Sequence, residues 1–179
     1  MTARVLAVCA LILAVPVMLR AQPVSNLPDL LPAGHAAGQA RLRFWGLDVY
    51  DASLWVASGF RQADFGAHGF ALQLHYLRAF SGTDIAQRSI EEMRRGGGMS
   101  AAQAASWQAA LARLLPDVTA GDRITGVNRP GRAAQFFHNG RLLGEVGDAQ
   151  FARLFFGIWL APWTSEPALR TTLLAGAER

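Results

Sequence analysis

Lysine is absent from the 179 residues, so all 17 positive side chains are arginine, and cysteine occurs once, at Cys9. No uncharged apolar run reaches the roughly 18 residues that a membrane-spanning helix needs. Each absence excludes something. A single thiol forms no internal disulfide, and Cys9 lies in a segment expected to be removed, so the mature chain offers a metal no thiolate. The pI of 10.5 reflects arginine's high pKa rather than a large positive field. Without Arg4 and Arg20, fifteen arginines face thirteen acids. Beyond Arg94 and Arg95 there is no basic cluster, so nucleic acid is not an expected partner. The histidines stand at 35, 68, 75 and 138 with no helical pairing and no HExxH pattern, so neither a metal nor another cofactor is expected. No GxSxG element occurs, and Gly96-Gly97-Gly98-Met99-Ser100 lacks the lysine of a phosphate loop. It reads as a link between helices.

Arg4, the run from Val5 to Leu19, then Arg20 and Ala21 have the layout of a signal peptide, so residues 1–21 are expected to be cleaved. The protein is then periplasmic or secreted, with no stable membrane span after cleavage. Residues 22–38 hold three prolines and no sustained periodicity, and read as a lead-in loop. The remaining 39–179 form one domain, large enough to be held by its own core.

Within that domain Ala40, Leu42 and Phe44 alternate with Arg41, Arg43 and Trp45, and Asp48 to Val56 is rich in strand formers. These are two strands, or one strand bent at Gly46. A glycine and histidine loop follows. Phe70, Leu72, Leu74 and Tyr76 then have the period of two of a half-buried strand. Ser81 to Gly97 reads as a helix with Thr83 as N-cap, and Ser100 caps a second that Pro116 closes. Strands resume at Asp122 to Asn128 and Ala134 to His138, and Asn139-Gly140 is a hairpin turn leading to Arg141 to Val146. Asp148 caps a helix with the stripe Phe151, Leu154, Phe155, Ile158 and Trp159, and Ser165 caps a last helix. Helices that interrupt and follow the strands, rather than alternating with them, predict an α+β fold: an antiparallel sheet with helices packed on one face.

The chain resembles the bacterial, exported branch of the chalcone isomerase-like family. The resemblance rests on Gly46-Leu-Asp-Val-Tyr50-Asp-Ala-Ser-Leu54-Trp55, Leu74-His-Tyr76-Leu-Arg78, Ile85-Ala with Arg88-Ser89 and Glu91-Glu-Met93, Pro116-Asp-Val, Phe136-Phe-His-Asn139-Gly140 and Phe155-Phe-Gly-Ile158-Trp-Leu160. It implies an open-faced sandwich with a ligand cleft between sheet and helices. True chalcone isomerases close a flavanone ring there, using an arginine, tyrosine and threonine hydroxyls and an asparagine; related plant members bind fatty acids. Matching Val49-Tyr50 to the family's Val-Tyr puts the threonine position on Trp45 and the arginine position near Pro32 or Ala33. Matching Gly82 puts Ile85 where the phenol would be and Glu92 near the asparagine. Isoleucine donates no hydrogen bond to a developing enolate, so no catalytic residue is assigned and flavonoid cyclisation is not expected.

Five residues remain as ligand-binding candidates. Arg43 and Arg78, read as lying on neighbouring strands, would offer guanidinium groups to a carboxylate, the alternative being a solvent face. Tyr76 has inward parity and a hydroxyl that needs a partner. Arg88 and Glu92, four apart on one helix face, complete the five as a polar head-group site or as part of an ion-pair ladder that Asp84, four residues before Arg88, would extend. The aromatic stripe at 151–159 is core by default, the alternative being the lining of a lipid-sized cavity. The expected function is a non-catalytic binding protein for a small apolar or carboxylate-bearing ligand. The alternatives are an isomerase acting on another substrate and a partner-binding envelope protein.

Overall fold

The computed structural model describes residues 30–31 and 33–177; the expected signal segment and most of the lead-in loop lie outside the described residues. Six strands, β1 (His35–Phe44), β2 (Leu47–Val56), β3 (Phe70–Tyr76), β4 (Arg123–Arg129), β5 (Ala133–His138) and β6 (Arg141–Val146), form one sheet in chain order. Each pairs antiparallel with the next. Helices α1 (Gly82–Met93) and α2 (Ala101–Leu114) are inserted between the adjacent β3 and β4, while α3 (Ala149–Leu160) and the short α4 (Pro167–Leu173) follow the sheet. This is the expected α+β open-faced sandwich.

The period of two sorts the strands' side chains onto two faces. Ala52, Leu54 and Val56 of β2 and Phe70, Leu72, Leu74 and Tyr76 of β3 point under the helices into the main core. Asp51, Ser53, Gln73 and His75 take the alternate positions and line a shallow hollow of about 500 Å³ on the open face. That face also carries a small apolar cluster of Leu30, Ala71, Val127 and Phe137, with Trp55 against it.

Helix α3 supplies the helical layer's largest apolar stripe, and its rings interlock with the sheet. Phe136 meets Phe155 at 5.1 Å between ring centres, and Phe70 meets Phe156 at 4.8 Å, both edge-to-face. Gly126 makes room for this, since a Cβ there would stand 2.9 Å from the Phe156 ring. Helix α4 packs on β1, and α1 packs against α2 and α3.

Several local expectations are corrected. The chain from Phe44 to Leu47 is a hairpin turn between two paired strands, not a bend in one. β1 begins at His35, inside the expected lead-in loop, because His35 already pairs with Val56. The loop before β3 contains a 3-10 turn at Gln62–Ala67. Ser81, not Thr83, caps α1, its hydroxyl accepting from the Asp84 amide at 3.0 Å, and the α-helix stops at Met93 before a 3-10 turn. Ser100 and Asp148 cap as expected, Ser100 through a full capping box. Ser165 does not cap α4: Glu166 holds that position without a side-chain bond, and its amide donates to the Thr164 hydroxyl at 3.1 Å.

Candidate functional site

The candidate site lies at the end of the sandwich where the β1–β2 hairpin turns and β3 runs out. Trp45 and Gly46 make the turn with φ of 50° and 77°. Two successive left-handed residues suit a two-residue hairpin, and the β5–β6 turn meets the same need with Asn139-Gly140. Below the turn Asp48 accepts from Arg43 Nε at 2.7 Å and from Arg41 Nη1 at 2.8 Å. Arg41 also binds Asp51 through two hydrogen bonds of 2.6 and 2.9 Å. These bonds hold the Asp48 and Asp51 carboxyls below the usual carboxylate range, the direct bond from arginine being the largest cause for each.

Beside this ladder an open hollow of about 840 Å³ is lined by Arg43, Leu47, Asp48, Leu77, Arg78 and Ala79. Arg43 and Arg78 thus border one space, but not from neighbouring strands. β2 separates β1 from β3, and Arg78 lies past the end of β3, whose last residue is Tyr76. Arg43 takes the solvent face, because its parity matches Arg41 and opposes the inward Ala40 and Leu42. Its charge is already engaged by Asp48. Arg78 has no ion pair or side-chain hydrogen bond among the described residues.

Two residues before Arg78 the character becomes apolar. The Tyr76 ring is buried, edge-on to Tyr50 at 6.0 Å and 5.8 Å from Phe80. The Tyr50 hydroxyl accepts from Trp159 Nε1 at 2.9 Å. Burial pushes both phenols well above their ordinary pKa; for Tyr50 the bond from Trp159 opposes the shift and the Glu166 and Glu92 carboxylates add to it. Both stay protonated at any physiological pH. Neither hydroxyl donates to an acceptor among the described residues, so this end of the core holds two O–H donors without a protein acceptor there.

On α1, Arg88 Nη2 donates to Glu92 Oε1 at 2.6 Å and Arg88 Nη1 reaches Glu91 at 3.5 Å. The expected ladder is corrected here: Asp84 takes no part, because Arg88 turns toward the carboxylates one turn ahead of it. Glu92 is only 8% exposed, and its Oε2 has no hydrogen bond, with Arg95 Nε 3.8 Å away. Helical spacing could not reveal that this member of an apparently solvated ladder is buried.

The positions that the resemblance assigned to catalytic oxygens are filled differently. Ile85 packs against the core as a partly buried apolar side chain, and Trp45 stands on the turn. The sequence singled out Trp159 only as part of the stripe that is core by default, and Tyr50 not at all as a site residue. The parity of Tyr50 with Ala52, Leu54 and Val56 was the available signal for Tyr50. Among the described residues no group of His, Cys, Asp and Glu could hold a metal ion, and no helix is long and apolar enough to cross a membrane.

Among curated protein sequences none matches this chain. Among solved structures, the fatty-acid binding protein AtFAP1 of Arabidopsis thaliana is similar, with a TM-score of 0.64 at 13% identity over 88% of this chain and 92% of that one. At that identity the likeness concerns the fold: the same open sheet backed by helices. The profile described as "Chalcone isomerase-like" matches residues 35–175, from the first residue of β1 to just past α4. Sheet order, helical layer and sequence profile agree over the whole domain, and the chain belongs to the chalcone isomerase-like family.

Proposed function

We propose that this protein is a non-catalytic binding protein for a small amphipathic molecule with an anionic head, held at the β1–β2 end of the sandwich. The observation that carries the reading is Arg78, a guanidinium without an ion pair among the described residues, lining an open hollow two residues along the chain from the buried ring of Tyr76, which meets the partly buried Tyr50 edge-on. Arginine binds a carboxylate or phosphate bidentately. The tyrosines, kept protonated, donate without adding charge, and Leu42, Ile85 and Ile158 offer apolar surface. The name of AtFAP1, a fatty-acid binding protein, fits this chemistry, although a shared fold does not carry a ligand across. The middle of the sandwich is filled by Phe70, Phe136, Phe155 and Phe156, so the apolar part is short or confined to the tyrosine end. The same filling favours a second reading, an envelope protein that binds a partner and no ligand.

The non-catalytic reading is supported by Ile85, which offers no hydroxyl. Export rests on Arg4 and the run Val5–Leu19; an intact mass of the periplasmic protein that begins near Gln22 supports it, and a retained Met1 overturns it.

Calorimetric titration with decanoate and with decyl phosphate tests the ligand reading. Saturable binding that Arg78→Gln weakens about tenfold and Tyr76→Phe weakens less is the expected result. No saturable binding of either, or binding indifferent to both substitutions, overturns it.

A further inference from the structure

We infer that the tip of the β1–β2 hairpin, Phe44-Trp45-Gly46-Leu47, docks on the surface of an anionic bilayer, with Trp45 at headgroup depth and Arg78 toward lipid phosphate. The inference shares Arg78 with the ligand reading but rests on the exposed side chains of the turn, and its test uses vesicles and no soluble ligand.

Exposed large apolar side chains are few among the described residues, and three of the four sit on this one turn: Phe44 is 57% exposed, Trp45 90% and Leu47 52%. Trp45 occupies a left-handed backbone position, which costs a bulky L-residue free energy that asparagine or glycine largely avoids. The molecule's other two-residue hairpin turn uses Asn139-Gly140. No core contact offsets the cost, since the indole's one aromatic neighbour is Phe44, stacked at 5.9 Å. A tryptophan held out of the core at a backbone cost has its use outside the molecule.

Shape and charge select the bilayer among possible occupants. The turn is convex, with nothing within 4 Å of a Cβ built on Gly46. Four residues cannot supply the roughly 800 Å² per partner of a standard protein interface. A bilayer interface needs no complementary pocket, and it favours an indole, whose ring is apolar and whose N–H is polar. The turn's open peptide groups stay hydrated at headgroup depth, as unpaired backbone requires. Asp48 and Asp51 are engaged by Arg41 and Arg43, and Arg78, which lines the same hollow as Arg43 and has no ion pair among the described residues, is placed to meet a phosphate. Tyr50 lies three residues beyond Leu47, about 10 Å along the strand. Docking therefore brings the tyrosine end to the membrane surface.

The test uses the full chain with vesicles of phosphatidylcholine and phosphatidylglycerol brominated along the acyl chains. Tryptophan quenching is compared between the wild type and Trp45→Phe. Trp55, Trp107, Trp159 and Trp163 are common to both, and the difference reports the depth of Trp45 whatever else holds the chain to the vesicle. The expected result is quenching in the wild type that is largely lost in Trp45→Phe. Arg78→Gln and removal of phosphatidylglycerol should each reduce that component several-fold. Equal quenching in the two proteins overturns the inference. A quenched component indifferent to phosphatidylglycerol overturns its anionic part. A dimer in sedimentation velocity that Trp45→Ser abolishes, with no quenching difference on vesicles, assigns the tip to a second copy of the chain and overturns it as well.

Discussion

Phe155, in the middle of the sandwich, packs against Phe136, Phe151, Phe156 and Trp159, whereas Trp45, at the end of the same sheet, stacks only on Phe44 and is 90% exposed. Both are aromatic residues in segments of regular hydrophobic pattern. The difference is coverage. Helix α3 packs its rings on the centre of the sheet, whereas Phe44, Trp45 and Leu47 at the β1–β2 turn are left exposed among the described residues. Where coverage is complete, aromatic area contributes to stability; where it ends, the same area is left for something outside the chain. Arg78 and the two phenols lie at the boundary between these regimes.

The sharpest way to break this comparison is to remove one ring from the covered region. Phe156→Ala deletes a fully buried side chain against Phe70 and is expected to cost about 3–5 kcal/mol in urea unfolding. A loss below 1 kcal/mol would show that the centre is not close-packed. At the boundary, Arg88→Ala leaves the buried Glu92 carboxylate without its 2.6 Å donor and should cost about 1–2 kcal/mol by the same measurement. Arg88 is itself well exposed, which keeps the figure below that of a fully buried pair.

On the uncovered tip the expected sign reverses. Trp45→Asn places a residue suited to the left-handed turn and should raise stability by a few tenths of a kcal/mol while removing the Trp45 component of the vesicle quenching. A destabilisation would mean that the indole contributes to the fold after all.

The smallest effect is a pH dependence far from this end. The Asp64 carboxyl is lowered to about 2, chiefly by the hydrogen bond from Arg61, with His68 adding a second. Unfolded aspartate titrates near 3.9, so the folded chain holds this proton more weakly. The associated stability is fully present above about pH 5 and is lost as pH falls toward 2. Melting temperatures between pH 6 and 2 should fall less steeply in Asp64→Asn than in the wild type.

Much of the domain was legible in the sequence because its signals are local. Period-two alternation at Phe70–Tyr76, the Asn139-Gly140 turn and the caps Ser100 and Asp148 each depend on residues within a few positions of one another. The errors cluster where a distant partner decides. Residues 35–38 contain glycine and alanine and no alternation, yet they form a strand because β2 and the C-terminal turn bind them, Gly176 donating to the Ala37 carbonyl at 2.8 Å. Arg43 and Arg78 were expected on neighbouring strands, and their distance depends on strand order, which no local pattern encodes.

The sequence by itself determined the α+β class, the inward and outward faces of most strands and the caps Ser100 and Asp148, since side-chain direction and hydrogen-bond capping follow from backbone geometry over one or two turns. Only the tertiary structure decided that Arg41 and Arg43 engage Asp48 while Arg78 has no acidic partner among the described residues, that Glu92 is buried, and that Tyr50 meets both Tyr76 and Trp159 on the strand leading from an exposed hairpin tip. Those outcomes depend on which segments lie over which. The choice is made by the packing of the whole core and leaves no periodic trace in the chain.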